Sequence, residues 1–130
     1  MSAPEPYDYD WAVVRLVAHV HRECFENVGV VMHARRARYL GVRLCPPEEA
    51  AARCGLDPAL VARYFDAYRR VGEADGAGAL GLLPPSERFH WLTAPRSTAL
   101  QTSPVHTGRT RDLPGTLDRL YRLHVGLQAV

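Results

Sequence analysis

YDYDWAVVRLVAHVH, Tyr7–His21, is the stretch on which the fold turns. Ala12, Val14, Leu16, Ala18 and Val20 fall on one side of an extended chain, and Val13, Arg15, Val17, His19 and His21 on the other. That period of two is a strand signature. Both sides are apolar near its start, so the strand is expected to be central and covered on both faces there. Arg15 breaks the pattern. A charge inside an apolar strand needs a partner, either an incoming anion or a carboxylate such as Asp8 or Glu26.

Downstream, FENVGVVMH (Phe25–His33) and RYLGVRL (Arg38–Leu44) read as two more strands. The short polar link HARRA makes them an antiparallel hairpin. Gly29 inside the second strand suggests a bulge or a close backbone approach. PPEEAAARCG, ending at Gly55, has the proline-start and glycine-stop grammar of a short helix. Asp57 caps a longer helix, with Pro58 in its first turn. Leu60, Val61, Tyr64, Phe65, Tyr68 and Val71 form its apolar stripe. GEADGAGALGLLPP reads as a flexible connection. Asp112 can cap a last helix carrying Leu117, Leu120, Tyr121, Leu123 and His124. A further strand is expected around Ser97–Ser103. The expectation is an α+β fold: residues 1–6 a disordered lead, and 7–130 a single domain with a mostly antiparallel sheet and helices packed on one face.

Composition narrows the function. The 130 residues suit one domain whose core needs no disulfide staple. Net charge is only +2, well short of a dedicated nucleic-acid binder. All sixteen basic residues are arginine, which fits a GC-rich coding bias. Cys24, Cys45 and Cys54 are odd in number and widely spaced, which argues against a disulfide framework or a CxxC metal site. No segment resembles a signal peptide or a membrane span, so a cytoplasmic location is expected.

Three motifs are weak. Gly76-Ala-Gly78-Ala-Leu-Gly81 matches GxGxxG but leaves a helix and runs into two prolines, the wrong context for a dinucleotide site. His19 and His21, followed by Cys24, lack a third and fourth ligand at an obligate spacing, so no metal is expected. Glu23 and Glu26 could serve as general acid and base, but solvated turn residues are the default reading, and Glu48 and Glu49 read as acids favoured by a helix dipole. No cofactor motif is present.

RFHWLTAPRSTALQTSPVHTG, Arg88–Gly108, is richer. Arg88 and Arg96 can hold an anion through charge-assisted bonds. Ser97 and Thr98 add hydroxyls beside Arg96, and Trp91 or Phe89 offers a stacking face. Ser103 and His106 place a hydroxyl and an imidazole in one segment, with His106 able to act as acid or base. The plainer alternative makes the aromatics core anchors and the arginines structural ion pairs.

YDYDWAVVRLV, FENVGVVMH, ERFHWLTAPRST and SPVHTG, in that order, resemble a family of small bacterial proteins known only as a domain of unknown function, number thirty thirty-seven. The resemblance runs from about Tyr7 to the last helix. Its pattern falls on Tyr9, Arg15, Asn27, Gly29, Arg88, Trp91, Arg96, Ser97, Ser103, Pro104 and His106, and leaves out His19 and His21. It implies a partnership with a HipA-like kinase-fold protein, whose gene often lies alongside, and it transfers no activity. With it in hand, Arg15, Arg88 and Arg96 are expected to converge with Asn27 and His106 on one pocket.

Two functions follow. The first is a non-catalytic binding or accessory module that uses an arginine-lined pocket to recognise a phosphate- or carboxylate-bearing ligand or the kinase-fold partner; an antitoxin-like or regulatory partner of that protein is a variant of it. The second is a small enzyme acting on a phosphoester or nucleotide, with His106 as acid or base and Ser97 or Ser103 as nucleophile or donor. The enzyme reading needs His106 within hydrogen-bond reach of a hydroxyl at an open cleft.

Overall fold

In the computed structural model, which describes residues 5–19, 24–95 and 98–126, Tyr7–His19 forms the central strand, β1. The other strands are β2 (Cys24–Ala34), β3 (Tyr39–Leu44), β4 (Leu100–Thr102) and β5 (His106–Thr110). The helices are α1 (Pro47–Cys54), α2 (Pro58–Glu73), α3 (Pro85–Thr93) and α4 (Leu113–His124), with a 3-10 turn at Gly78–Leu82. The expected lead falls largely outside the described residues, as do His21 and Glu23.

All strand pairs are antiparallel, and the order is β3-β2-β1-β4 with β5 also on β1. β4 and β5 lie end to end along one edge of β1: β4 faces Val14–Leu16 and β5 faces Tyr7–Trp11. Ser103, Pro104 and Val105 separate them. Pro104 has no N–H to give a ladder, so pairing breaks there. The Ser103 hydroxyl fills the gap by accepting from the Val13 amide at 2.9 Å, while the Ser103 amide donates to the Val13 carbonyl at 2.9 Å.

The β1–β2 register shifts between Val14 and Arg15, where Val14 faces Gly29 but Arg15 faces Asn27. Val28 is the extra residue of a bulge. A Cβ on Gly29 would strike the Arg43 carbonyl and the Leu44 side chain, so glycine is needed where β3 passes so closely.

The α+β class is as read from the sequence, but helices cover both faces of the sheet rather than one. A Cβ on Gly41 would lie 2.8 Å from Leu117 of α4, and a Cβ on Gly72 of α2 would lie 2.5 Å from Val42. Gly41 and Val42 are adjacent on β3 and point to opposite faces. Ala12, Val14 and Leu16 share a face with Val42, while Val30 and Met32 share the α4 side; all of these but Val42 are fully buried. A strand without a clean polar face has both faces covered, and β2 fits: Val28, Val30, Val31 and Met32 are all fully buried.

The helix signals work locally. Gly55 closes α1 in the left-handed conformation at φ 68. Asp57 and Asp112 accept from the Ala59 and Gly115 amides as N-caps. In α2 the buried stripe is Val61, Phe65, Tyr68 and Val71, with Leu60 and Tyr64 on its shoulder. In α4 the stripe is Leu113, Leu117, Leu120 and Tyr121, while Leu123 and His124 are exposed. The expected extended segment from Arg88 begins instead as helix α3. Pro85 at its first position and Glu87 in its first turn start it. Phe89 and Leu92, one turn apart, bury its inner face, and it ends at Thr93, ahead of Pro95. The strand expected over Ser97–Ser103 is the short β4, and Ser97 lies outside the described residues.

Candidate functional site

On the α4 side of the sheet the β2 bulge sets Arg15 opposite Asn27, with Gln101 of β4 on the other flank. The Arg15 guanidinium lies 4.5 Å from the ring centre of Phe25, which is 48% exposed. Such a contact contributes about 0.5–1 kcal/mol at an exposed site. Arg15 Nε is buried and has no hydrogen-bond partner, and neither has Asn27 Oδ1. A buried donor and a buried acceptor thus stand unsatisfied on neighbouring strands. Asn27 Nδ2 is occupied, donating at 3.0 Å to the His124 carbonyl at the end of α4.

Two turns of pleat along β1, Trp11 faces His106 of β5. Its ring lies between two imidazoles, 4.9 Å from His106 and 5.0 Å from His124. His106 is exposed, and its ring forms no hydrogen bond among the described residues. Arg15, Asn27 and His106 therefore share one sheet face, linked through Trp11 and His124.

The other expected members lie elsewhere. Arg88 is on α3, across the sheet from Arg15, and is buried. Its Nη1 donates to the Val71 carbonyl at 3.0 Å and the Gly72 carbonyl at 2.7 Å, and its Nε to Leu83 at 3.0 Å. These are carbonyls at the end of α2 and in the link to α3, and a guanidinium satisfies several at once because its donors diverge in a plane. The single arginine pocket therefore does not form: Arg15 and Arg88 stand on opposite sides of the sheet, and Arg88 is engaged by the backbone. Arg96 and Ser97 lie outside the described residues. Ser103 is buried and its hydroxyl is doubly engaged, accepting from Val13 and donating to the Pro104 carbonyl at 3.0 Å. Trp91 and Thr98 meet on the α2–α3 side at an apolar cleft of about 220 Å³, with Tyr64, Tyr68 and Leu100 in its walls. The Thr98 hydroxyl donates to the Leu100 carbonyl at 2.8 Å.

A third group escaped the sequence reading. His33 near the end of β2 is only 6% exposed, stacks on Phe89 of α3 at 5.4 Å, and faces Asp10 across the ladder. Burial lowers its pKa, the Asp10 carboxylate opposes that, and Arg35 reinforces it. His33 and Arg35 are common to two clefts, of about 520 and 200 Å³. The trace of this group in the sequence was HARRAR, three arginines packed into a hairpin link, which reads as an ordinary polar turn until α3 is seen to close over it.

Among the described residues no group of three or more His, Cys, Asp or Glu side chains is arranged to hold a metal ion, and no helix is long and apolar enough to cross a membrane. The chain belongs to the family of proteins of unknown function DUF3037, whose model matches residues 11–125. No curated protein and no solved structure matches it. The matched span takes in the Trp11–Arg15–Asn27–His106 face and the His33 group alike.

Proposed function

We propose that this DUF3037-family chain is a binding or accessory module, and that the sheet face around Arg15, Asn27, Trp11 and His106 is its recognition surface. The observation that carries this reading is the orphaned pair, Arg15 Nε and Asn27 Oδ1. An unsatisfied buried polar atom costs about 1–3 kcal/mol, more for a charged group. Two on adjacent strands mark a place where an outside group completes the bonding. The pair is one donor beside one acceptor. A peptide group offers the matching acceptor and donor side by side, whereas an ionised carboxylate or phosphate satisfies only the arginine. This favours a polypeptide partner, and the HipA-like kinase-fold protein implied by the resemblance is the first to try. Phe25, half exposed beside Arg15, supplies an apolar anchor of the kind that concentrates interface energy.

The enzyme alternative has less behind it. General acid–base work requires His106 within reach of a hydroxyl. Among the described residues its ring contacts Trp11, and the nearby Ser103 hydroxyl is buried in the ladder.

The test is co-purification of the chain with the kinase-fold neighbour, followed by titration of Arg15→Met and Asn27→Ala. Met keeps the packing on Phe25 and removes the donor. Each change is expected to weaken binding by about tenfold or more, the equivalent of one charge-assisted hydrogen bond. Wild-type affinity in both variants would refute the surface. A thermal-shift screen of nucleotides, sugar phosphates and carboxylates runs beside it, and an Arg15-dependent shift with one of them would move the reading from a protein partner to a small anion.

A further inference from the structure

We infer that the corner where the β2–β3 turn meets the start of α3 binds the phosphate group of a small phosphorylated molecule. It lies on the opposite side of the sheet from the Arg15 surface and is independent of it. Its walls are His33, Arg35, Arg38, Pro84, Pro85 and Ser86, around about 200 Å³.

The turn Arg35–Arg38 is closed by the Arg38 amide donating to the Arg35 carbonyl at 3.1 Å. Arg38 sits at φ 50, a conformation glycine or asparagine takes more readily. An arginine held there against its preference is placed for its side chain. Neither Arg35 nor Arg38 forms an ion pair among the described residues. Arg36, between them in sequence, lies over the Tyr7 ring at 5.3 Å. The turn thus presents two unpaired guanidinium groups to the cleft and directs the third to an aromatic face.

Opposite stands the first turn of α3, a nine-residue helix. Pro84 and Pro85 have no N–H, and the amides of Glu87 and Arg88 both turn back to the Pro84 carbonyl. Ser86 is left as the first residue whose amide and hydroxyl are free to meet a ligand at the positive end of the helix. The independent observation is His33. Its ring is more than nine-tenths buried, borders this cleft and its neighbour, is fixed by the stack on Phe89, and makes no hydrogen bond among the described residues. Two guanidinium groups, an amide, a hydroxyl and an imidazole outnumber what the two oxygens of a carboxylate use. They suit the three terminal oxygens of a phosphate.

The adjoining cleft of about 520 Å³ shares His33 and Arg35 and adds Asp10, Thr107 and the Asp8–Arg109 pair, bonded at 2.9 Å. Asp10 repels an anion there, so the phosphate sits toward Arg38 and Ser86. The remainder of the molecule lies toward Asp10, which accepts from a hydroxyl or an amine.

The experiment is calorimetric titration of the full chain with inorganic phosphate and with glycerol 3-phosphate, at constant ionic strength held with chloride. Saturable binding is expected, tighter for the ester. Arg38→Gly relieves the left-handed backbone, so it folds at least as well as the parent, and it is expected to weaken binding by about tenfold or more. Arg35→Ala should do the same. Arg36→Ala removes the same charge from the same turn and is expected to change binding by less than about twofold. Absence of saturable binding, or an equal loss in Arg36→Ala, overturns the inference. The Arg15→Met variant should bind phosphate as the parent does, so failure here and failure of the partner surface are separable.

Discussion

Arg88 is where two accounts of this chain make opposite forecasts. As an anion-binding residue, its loss would abolish ligand binding and leave stability nearly untouched. As a backbone clamp, its loss would cost stability first. The substitution is Arg88→Met, which keeps the length of the side chain and removes its donors. Three charge-assisted bonds, to Val71, Gly72 and Leu83, are lost. At about 1.5–3 kcal/mol each the gross loss is about 4.5–9 kcal/mol. Removing a buried guanidinium also removes its desolvation penalty, which is several kcal/mol. The net falls at about 3–5 kcal/mol, the usual cost of stripping one side from a buried charged cluster. Unfolding entropy of about 2.1 cal/mol/K per residue gives about 0.27 kcal/mol/K for this chain, so Tm should fall by about 11–18 °C. Calorimetric melts, supported by denaturant midpoints, read this directly. Arg88→Lys should recover only part of the loss, because one ammonium cannot fork between α2 and the link to α3. A fall of less than about 3 °C with the fold intact would refute the clamp and return Arg88 to the candidates for ligand binding.

Ser103→Ala leaves the Val13 amide unsatisfied between the β4 and β5 pairings of β1, so denaturation should show a loss of about 1–3 kcal/mol; an unchanged midpoint would mean the hydroxyl is free for other work. The Cys45 thiol is buried and its pKa is pushed up to about 11, first by burial and then by the Glu49 carboxylate. At pH 8 its native thiolate fraction is then about 0.1%, so alkylation read by mass spectrometry should be at least about a hundredfold slower at Cys45 in the native than in the denatured chain. The same shift makes the fold favour the neutral thiol. Its stability contribution is complete below the unfolded thiol's pKa and is lost as pH rises toward 11, and Cys45→Ala should remove that part of the alkaline slope.

The elements that were legible carry their cause in adjacent residues. Valine-rich runs mark β1 and β2, Asp57 and Asp112 announce their helices, and Gly55 ends α1. The elements that were not legible depend on distant partners. α3 has only Phe89 and Leu92 as its buried apolar pair, and its charged Arg88 is inside because the carbonyls it serves belong to the end of α2 and the link after it. β5, HTGRT, has no apolar alternation and is a strand because β1 offers it an edge. The site divides the same way. Arg15 stood out as a charge in an apolar strand, and Asn27 meets it through the bulge beside Gly29. The His33–Arg35–Arg38 corner exists only when a hairpin turn and a helix from fifty residues downstream close on each other, which no local pattern encodes.

Arginine content therefore says little here, and the partners of each guanidinium say more. Arg88 holds three carbonyls; Arg43 and Arg122 share Asp118; Arg53, Arg70 and Arg109 pair with Glu26, Asp66 and Asp8. The exposed pairs among these contribute at most about 1 kcal/mol each and direct no ligand. Arg36 lies on Tyr7. What stands apart is a buried Nε on Arg15 with nothing to donate to, and two guanidinium groups at Arg35 and Arg38 facing an unbonded buried imidazole. Unsatisfied donors cost free energy in the folded chain. Among the described residues the buried unsatisfied atoms are Arg15 Nε, Asn27 Oδ1 and the Tyr121 hydroxyl, whereas Arg35 and Arg38 are exposed to water on the other side of the sheet. Asp10 and Arg15 point to opposite faces of the central strand β1, so that one strand borders both of the proposed sites.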